Sequence, residues 1–269
     1  MCGITIGPIS KRGCVRARWR RCTTISATTA AGCGSNFLPR YREAYAIHCL
    51  NTTQAAILAG HGVGHTPIVP HGVDRGVFPM PARPRQWPGG RLRRGSFSRW
   101  YSGSVKGGWA FDALLAQLDL RRVSFVFVGE GRRRDVWAAR AKGLAAEHWE
   151  RLPHPRLAEV YAAIDALLIL SRFEGGPASL PEALGSGIPV LCTPVGICRD
   201  QVCDGGNGVL LTGRARTDGE RIMPLLDGDG RKLALLNGNA FASAAEIPAW
   251  EQVMAQWHAL YAEAAAAPA

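Results

Sequence analysis

Two short apolar runs, Ala166-Leu-Leu-Ile-Leu170 and Pro189-Val-Leu-Cys192, flank a glycine-rich turn and a short helical segment. Runs of this length without polar alternation read as strands buried on both faces. A strand, a turn, a helix and another strand make one βαβ unit, and the two strands it joins are parallel. The connecting segment is Glu174-Gly-Gly-Pro-Ala-Ser-Leu-Pro-Glu182, followed by Ala183-Leu-Gly-Ser-Gly187. Two carboxylates therefore bracket a turn that opens a helix. In open α/β sheets ligands sit where strands hand over to helices, and N–H groups at a helix start attract phosphate. A carboxylate on either side of such a turn suits the hydroxyls of a sugar or ribose. A nucleotide-sugar carries both kinds of group.

The same residues support a second reading. Ser179-Leu-Pro-Glu182 fits a capping box, in which Ser179 caps the helix and Glu182 reaches back to the Ser179 N–H. Pro181 is tolerated in a first turn, and Gly185 and Gly187 suit a helix end. Glu182 reads equally well as cap or as ligand contact. Glu174 directly follows a buried strand, in a loop where a structural carboxylate has no evident role.

The rest of the chain extends this pattern. Residues 1–40 lack a helix or strand period and read as a disordered segment. Ala46–Leu50 reads as a strand, Thr52–Ala59 as a helix and Thr66–Val69 as another strand, so residues 41–70 form a small folded piece. Residues 71–95 contain Pro79, Pro81, Pro84 and Pro88 with Gly89 and Gly90, and read as a linker. From 96 to 247 strands and helices alternate. Strands are expected at Phe97–Tyr101, Ser124–Val128, Glu147–Leu152 and Gly208–Leu211, besides the two already described. Helices are expected at Trp109–Leu118, Asp135–Leu144 and Leu157–Ile164, and residues 248–269 close the chain with a helix. The fold class is α/β, a Rossmann-like parallel sheet with helices on both faces.

Charge and cysteine usage narrow the function. The chain has a formal net charge of +11, concentrated at Lys11, Arg12, Arg16, Arg18, Arg20 and Arg21, at Arg91, Arg93 and Arg94, and at Arg132–Arg134. No zinc-finger spacing, aromatic RNA-binding motif or helix-turn-helix accompanies them. A solvated basic surface with peripheral membrane attraction is expected, and no nucleic-acid partner. Eight cysteines show no C-x-x-C pair and no zinc-ligand spacing, so they read as free thiols in a reducing compartment. With no apolar leader and no run of membrane-spanning length, the expected location is cytoplasmic, peripheral to the membrane. Gly129-Glu-Gly131 follows a strand, but Arg134 stands where a dinucleotide fingerprint needs its third glycine. No phosphate-loop lysine motif is present, so a dehydrogenase and a P-loop NTPase are both excluded.

Taken in order, these pieces resemble the donor-binding half of the GT-B glycosyltransferases, the large retaining group called family 4. Val69-Pro-His-Gly-Val-Asp74 resembles its interdomain "IPNGVD" element, and Tyr101-Ser-Gly-Ser-Val-Lys-Gly107 its first strand and loop. Val126-Phe-Val-Gly-Glu-Gly131 resembles "VGDG", Glu174 to Glu182 the E-x7-E motif, and Gly187-Ile-Pro-Val190 "GVPVV". Asp204-Gly-Gly-Asn-Gly208 resembles "DGxNG", and Trp250–Tyr261 the closing helix. The resemblance spans about residues 45 to 261.

It implies transfer of a hexosyl group from a nucleotide-sugar to an acceptor hydroxyl, with retained configuration. It implies no cofactor and no metal ion. Lys106 would meet the donor diphosphate, and Gly103, Gly175, Gly176, Ala178 and Ser179 would line the donor site. Glu174 would hold hydroxyls of the transferred sugar, and Glu182 the ribose. A glycan or a lipid-linked glycan is the expected acceptor class. Two departures stand out. The family's Arg before the loop lysine is replaced by Gly103-Ser104, and only residues 41–70 resemble part of the N-terminal acceptor domain, as a vestige. A donor-binding fragment without turnover is therefore the alternative, and a basic nucleic-acid-binding protein ranks last.

Overall fold

In the computed structural model the described residues are 44–84, 92–97, 105–129, 133–150, 152–226 and 230–267, with 92–97 and 133–135 described by their backbone. The patternless segment 1–40 and the expected donor contact Gly103 lie outside them.

Among the described residues six parallel strands form the sheet: β1 (Leu92–Phe97), β2 (Val123–Val128), β3 (Ala145–Trp149), β4 (Ala166–Ile169), β5 (Val190–Cys192) and β6 (Gly208–Leu210). Their spatial order is β3-β2-β1-β4-β5-β6. Gly95 of β1 lies between Val126 of β2 and Leu167 of β4, while Leu191 of β5 lies between Leu168 and Val209. The helices are α1 (Thr52–Gly60), α2 (Gly108–Leu115), α3 (Arg133–Ala141), α4 (Leu157–Ala163), α5 (Ser179–Gly185), α6 (Cys198–Gln201), α7 (Ala215–Leu226), α8 (Arg231–Ser243) and α9 (Trp250–Ala266).

Strand side chains alternate between two faces, and both faces are covered. Phe125, Phe127, Leu168 and Leu191 pack with Leu114 and Leu115 of α2, Val136 of α3, Ile222 of α7 and Leu233 of α8. Val126, Val128, Leu167, Ile169 and Val190 pack with Val160 and Tyr161 of α4, Leu180 and Leu184 of α5, and Ile197. The doubly covered parallel sheet expected from the apolar runs is present.

Two local expectations need correction, and two helices arise where none was expected. The first described strand is Leu92–Phe97, which begins inside the stretch read as linker; residues 98–101 of the expected strand Phe97–Tyr101 lie outside the described residues. Leu-Arg-Arg-Gly-Ser-Phe has no apolar run; its strand state comes from pairing between the apolar β2 and β4, and strand preference depends strongly on such neighbours. Ala46–Leu50 is not a regular strand, since Cys49 makes only an isolated bridge to Ile68. The helices α7 and α8 carry no clear signal, because Gly219 and Pro224 interrupt α7 and Gly238 interrupts α8. An interior proline costs about 3 kcal/mol. Burying Ile222, Leu225 and Leu226, at roughly 2 kcal/mol each, exceeds that cost.

The segment 71–75 ties the ends of the fold together. Val73 is fully buried, accepts from the Trp250 N–H and donates to the Pro248 carbonyl. Arg75 donates to the carbonyls of Gly185 (2.7 Å), Ala244 (2.8 Å) and Ile247 (3.1 Å), so one guanidinium closes the end of α5 against the approach to α9.

Candidate functional site

The strand order reverses between β1 and β4, and beyond the carboxyl ends of these two strands the loops diverge. This is the position where open α/β sheets bind ligands. The turn Val105–Gly107 leads into α2, while residues 171–178 lead from β4 into α5. The two are stitched by the Arg172 N–H, which donates to the Val105 carbonyl at 2.8 Å.

Lys106 and Glu174 meet across this junction. Lys106 Nζ donates to Glu174 Oε1 in an ion pair, with the side chains 22% and 14% exposed. Ser171 Oγ donates to the same oxygen at 2.9 Å. Ser171 is itself held, because Thr193 Oγ1 donates to its carbonyl at 2.5 Å. The pair is thus partly withdrawn from water yet still reachable, where charge interactions exceed those of a fully exposed pair. On the exposed side, the Arg172 guanidinium carbon lies 5.9 Å from the Trp109 ring centroid and 5.7 Å from that of Phe173.

Backbone geometry demands glycine at two supports of this arrangement. Gly107 has φ of +74°, and a Cβ there would stand 2.0 Å from the Leu170 carbonyl oxygen. Gly196 has φ of +52°, and a Cβ would stand 2.4 Å from the Gly175 oxygen and 2.6 Å from that of Glu174. Both conformations are open to glycine and costly for other residues.

The glycine turn is braced from the N-terminal piece. Asn51 caps α1 by accepting from the Gln54 N–H at 2.8 Å, and its Nδ2 donates to the Gly175 carbonyl at 2.8 Å. Asp200 accepts from the Thr52 N–H (2.7 Å) and hydroxyl (2.6 Å). His71 lies against Gly176, its Cδ2 3.0 Å from where a Cβ on that residue would stand. Behind it, the His48 ring packs 4.3 Å from that of Trp257, and His48 Nε2 bonds the Val69 carbonyl at 2.7 Å.

The sequence had offered a capping box for Glu182, and the structure contains none. Ala178 occupies the cap position, Ser179 is the first helical residue, and among the described residues no side chain caps α5. Glu182 Oε2 instead accepts from the Tyr161 hydroxyl at 2.8 Å, and its Oε1 lies 3.6 Å from His154 Nε2. Of the expected site residues, Lys106 and Glu174 are in contact. Gly175 and Gly176 form the turn, Ala178 and Ser179 open α5, and Glu182 faces α4 one turn further on. Ser171, Asn51, His71, Tyr161 and His154 complete the surroundings and were not singled out from sequence. His71 lay inside a quoted motif, and Asn51 carried the signal of a cap residue before a helix. The Asp204-Gly-Gly-Asn-Gly208 turn is held by its own side chains and by α7: Asp204 accepts from the Leu210 N–H (2.9 Å) and pairs with Arg221, and Asn207 accepts from the Cys203 N–H (2.8 Å).

Burial holds the His48 and His71 imidazoles below their ordinary pKa; for His71 the neighbouring His48 adds to this, while the Gly176 backbone works against it. Folded-state values below the unfolded ones mean that the unfolded chain takes up more protons as pH falls. Stability is expected to decline below about pH 6.5 and to be independent of these groups above it. Chemical denaturation between pH 7.5 and 5.5 checks this, and His71→Asn should flatten the slope. An equal slope in the variant would contradict the assignment.

Among the described residues, no group of three or more His, Cys, Asp or Glu side chains is placed to hold a metal ion. No helix among them is long and apolar enough to cross a membrane.

Comparison with known proteins agrees with this fold. The family described as Glycosyl transferases group 1 matches residues 97–226. The UDP-N-acetylglucosamine–peptide N-acetylglucosaminyltransferase GtfA subunit of Streptococcus parasanguinis is 34% identical over 118 residues, which cover 43% of this chain and 23% of that protein. Sucrose-phosphate synthase from Thermosynechococcus elongatus superimposes with a TM-score of 0.73 at 20% identity, over 86% of this chain and 61% of that one. Anabaena HepE, solved in complex with UDP-glucose, gives a TM-score of 0.64 at 19% identity, over 82% and 64% of the two chains. This chain therefore spans only part of the length of each relative. Residues 97–226 thus resemble the glycosyl transferases group 1 family, and the fold is that of the GT-B glycosyltransferases.

Proposed function

We propose that this chain binds a nucleotide-sugar at the β1–β4 junction and transfers the sugar to an acceptor hydroxyl, with retained configuration. The observation that carries the reading is the Lys106–Glu174 ion pair, which sets a cation and a carboxylate side by side at the topological switch point. A donor diphosphate would compete with Glu174 for the Lys106 ammonium. Lys106, rather than a metal ion or cofactor, would then take up the charge that develops as the bond between the anomeric carbon and the diphosphate oxygen breaks. Glu174, released and still oriented by Ser171, would accept from hydroxyls of the transferred sugar. Gly175, Gly176, Ala178 and Ser179 would face the phosphates, with Glu182 at the ribose.

The HepE complex with UDP-glucose makes a uridine diphosphate sugar the first donor to test. The acceptor class proposed is a glycan or lipid-linked glycan, reached in the cytoplasm at the membrane surface. Calorimetric titration of the folded chain with UDP-, GDP- and ADP-sugars tests the reading. Saturable binding of one of them is expected. Binding of none would refute it.

A further inference from the structure

Tyr161 reaches Glu182 from a different helix. It is 2% exposed, and its ring packs edge-on against Phe78 at 5.5 Å. Phe78 is 1% exposed and is held by its N–H, which donates to the Asp74 carbonyl at 2.7 Å. The phenol therefore has little freedom to swing. Its hydroxyl lies 2.8 Å from Glu182 Oε2 and 3.4 Å from the Ser179 carbonyl, and the shorter, charge-assisted contact dominates. Burial, then the Glu182 charge and hydrogen bond, push the Tyr161 pKa well above its usual value, so the phenol stays a donor at working pH. On the other side Oε1 lies 3.6 Å from the half-exposed His154 ring.

A free glutamate side chain loses rotamer entropy when a ligand immobilises it. A carboxylate already fixed by a buried donor does not incur that loss at binding. Oε2 is anchored from the core by the Tyr161 hydroxyl, so the carboxylate is held in place before any ligand arrives. We infer that Tyr161 is a positioning residue that locks Glu182 for the nucleotide ribose, and so sets the preference for a nucleotide with both ribose hydroxyls over one lacking them. This rests on the donor-site reading above. The plainer account is a core tyrosine whose hydroxyl merely needs a partner; that account predicts no effect on sugar discrimination.

The test is calorimetric titration of the full chain with UDP and with 2′,3′-dideoxy-UDP, using wild type, Tyr161→Phe, Glu182→Ala and the double variant. GDP and ADP with their dideoxy analogues are run alongside. Wild type should favour the ribonucleotide by about ten-fold or more. Each single variant should bring the ratio below about three-fold, and the double variant should lower it no further than either single one. A folded Tyr161→Phe protein with the wild-type ratio would overturn the inference, as would additive losses in the double variant. If Tyr161→Phe does not fold, Glu182→Asp takes its place, because it draws the carboxylate one methylene away from the phenol. An unchanged ratio there overturns the inference equally. A wild type that binds no nucleotide at all fails the donor-site reading itself, which is a different result from binding without discrimination.

Discussion

Glu174→Ala is expected to slow sugar transfer by about 100-fold or more while leaving the Kd for UDP within about three-fold of wild type. The asymmetry follows from what the carboxylate touches. Glu174 pairs with Lys106 and is oriented by Ser171, and in the proposed role it engages hydroxyls of the sugar rather than the diphosphate. Removing it takes away an interaction used in transfer. It also frees the Lys106 ammonium from a competitor for phosphate, so UDP affinity should hold or rise. UDP release from UDP-glucose in the presence of an acceptor glycan measures the first quantity, and calorimetry the second. Full transfer activity, or a loss of UDP affinity as large as the loss of rate, would contradict the role given to Glu174.

The second large effect is structural. Gly107→Ala is expected to destabilise the chain by about 3 kcal/mol or more. Two costs combine. The left-handed backbone at +74° disfavours any Cβ, and that Cβ would stand 2.0 Å from the Leu170 oxygen, well inside contact distance. Leu170 ends the apolar run that becomes β4, so the loop cannot yield without moving the strand or the Lys106 turn. If the chain relaxes, the relaxation displaces Lys106 from Glu174. Thermal denaturation and nucleotide titration together read both consequences. Unchanged melting and unchanged binding would show that the turn has room the geometry denies.

How far these features were legible in the sequence depends on where the determining contacts lie. β4 and β5 were readable because their own residues are apolar throughout, and Ala166–Ile169 are all buried. The strand at 92–96 was not legible because Arg93, Arg94 and Gly95 give no strand signal; pairing with β2 and β4 decides their conformation, and pairing is a property of the assembled sheet. The Lys106–Glu174 contact spans 68 positions in sequence and depends on β1 lying beside β4, which periodicity does not reveal. Motif order supplied both residues as candidates, and the structure brings them into one ion pair. Glu182 was read as balanced between a cap and a ligand contact. Its actual partner, Tyr161, lies 21 positions upstream on α4, out of reach of any local rule. Asn51 and His71, by contrast, sat in recognisable settings, and only the fold shows that both press on the Gly175–Gly176 turn.

The proposed donor site requires Lys106 to meet a diphosphate, and calorimetric titration of wild type and Lys106→Ala with UDP and UMP tests that most directly. Wild type should bind UDP at least about ten-fold more tightly than UMP, because the second phosphate adds a charge-assisted contact. Lys106→Ala should bring the two ligands close to parity while keeping the melting behaviour of wild type. A variant that retained the full preference for UDP would place the diphosphate elsewhere and contradict the site described.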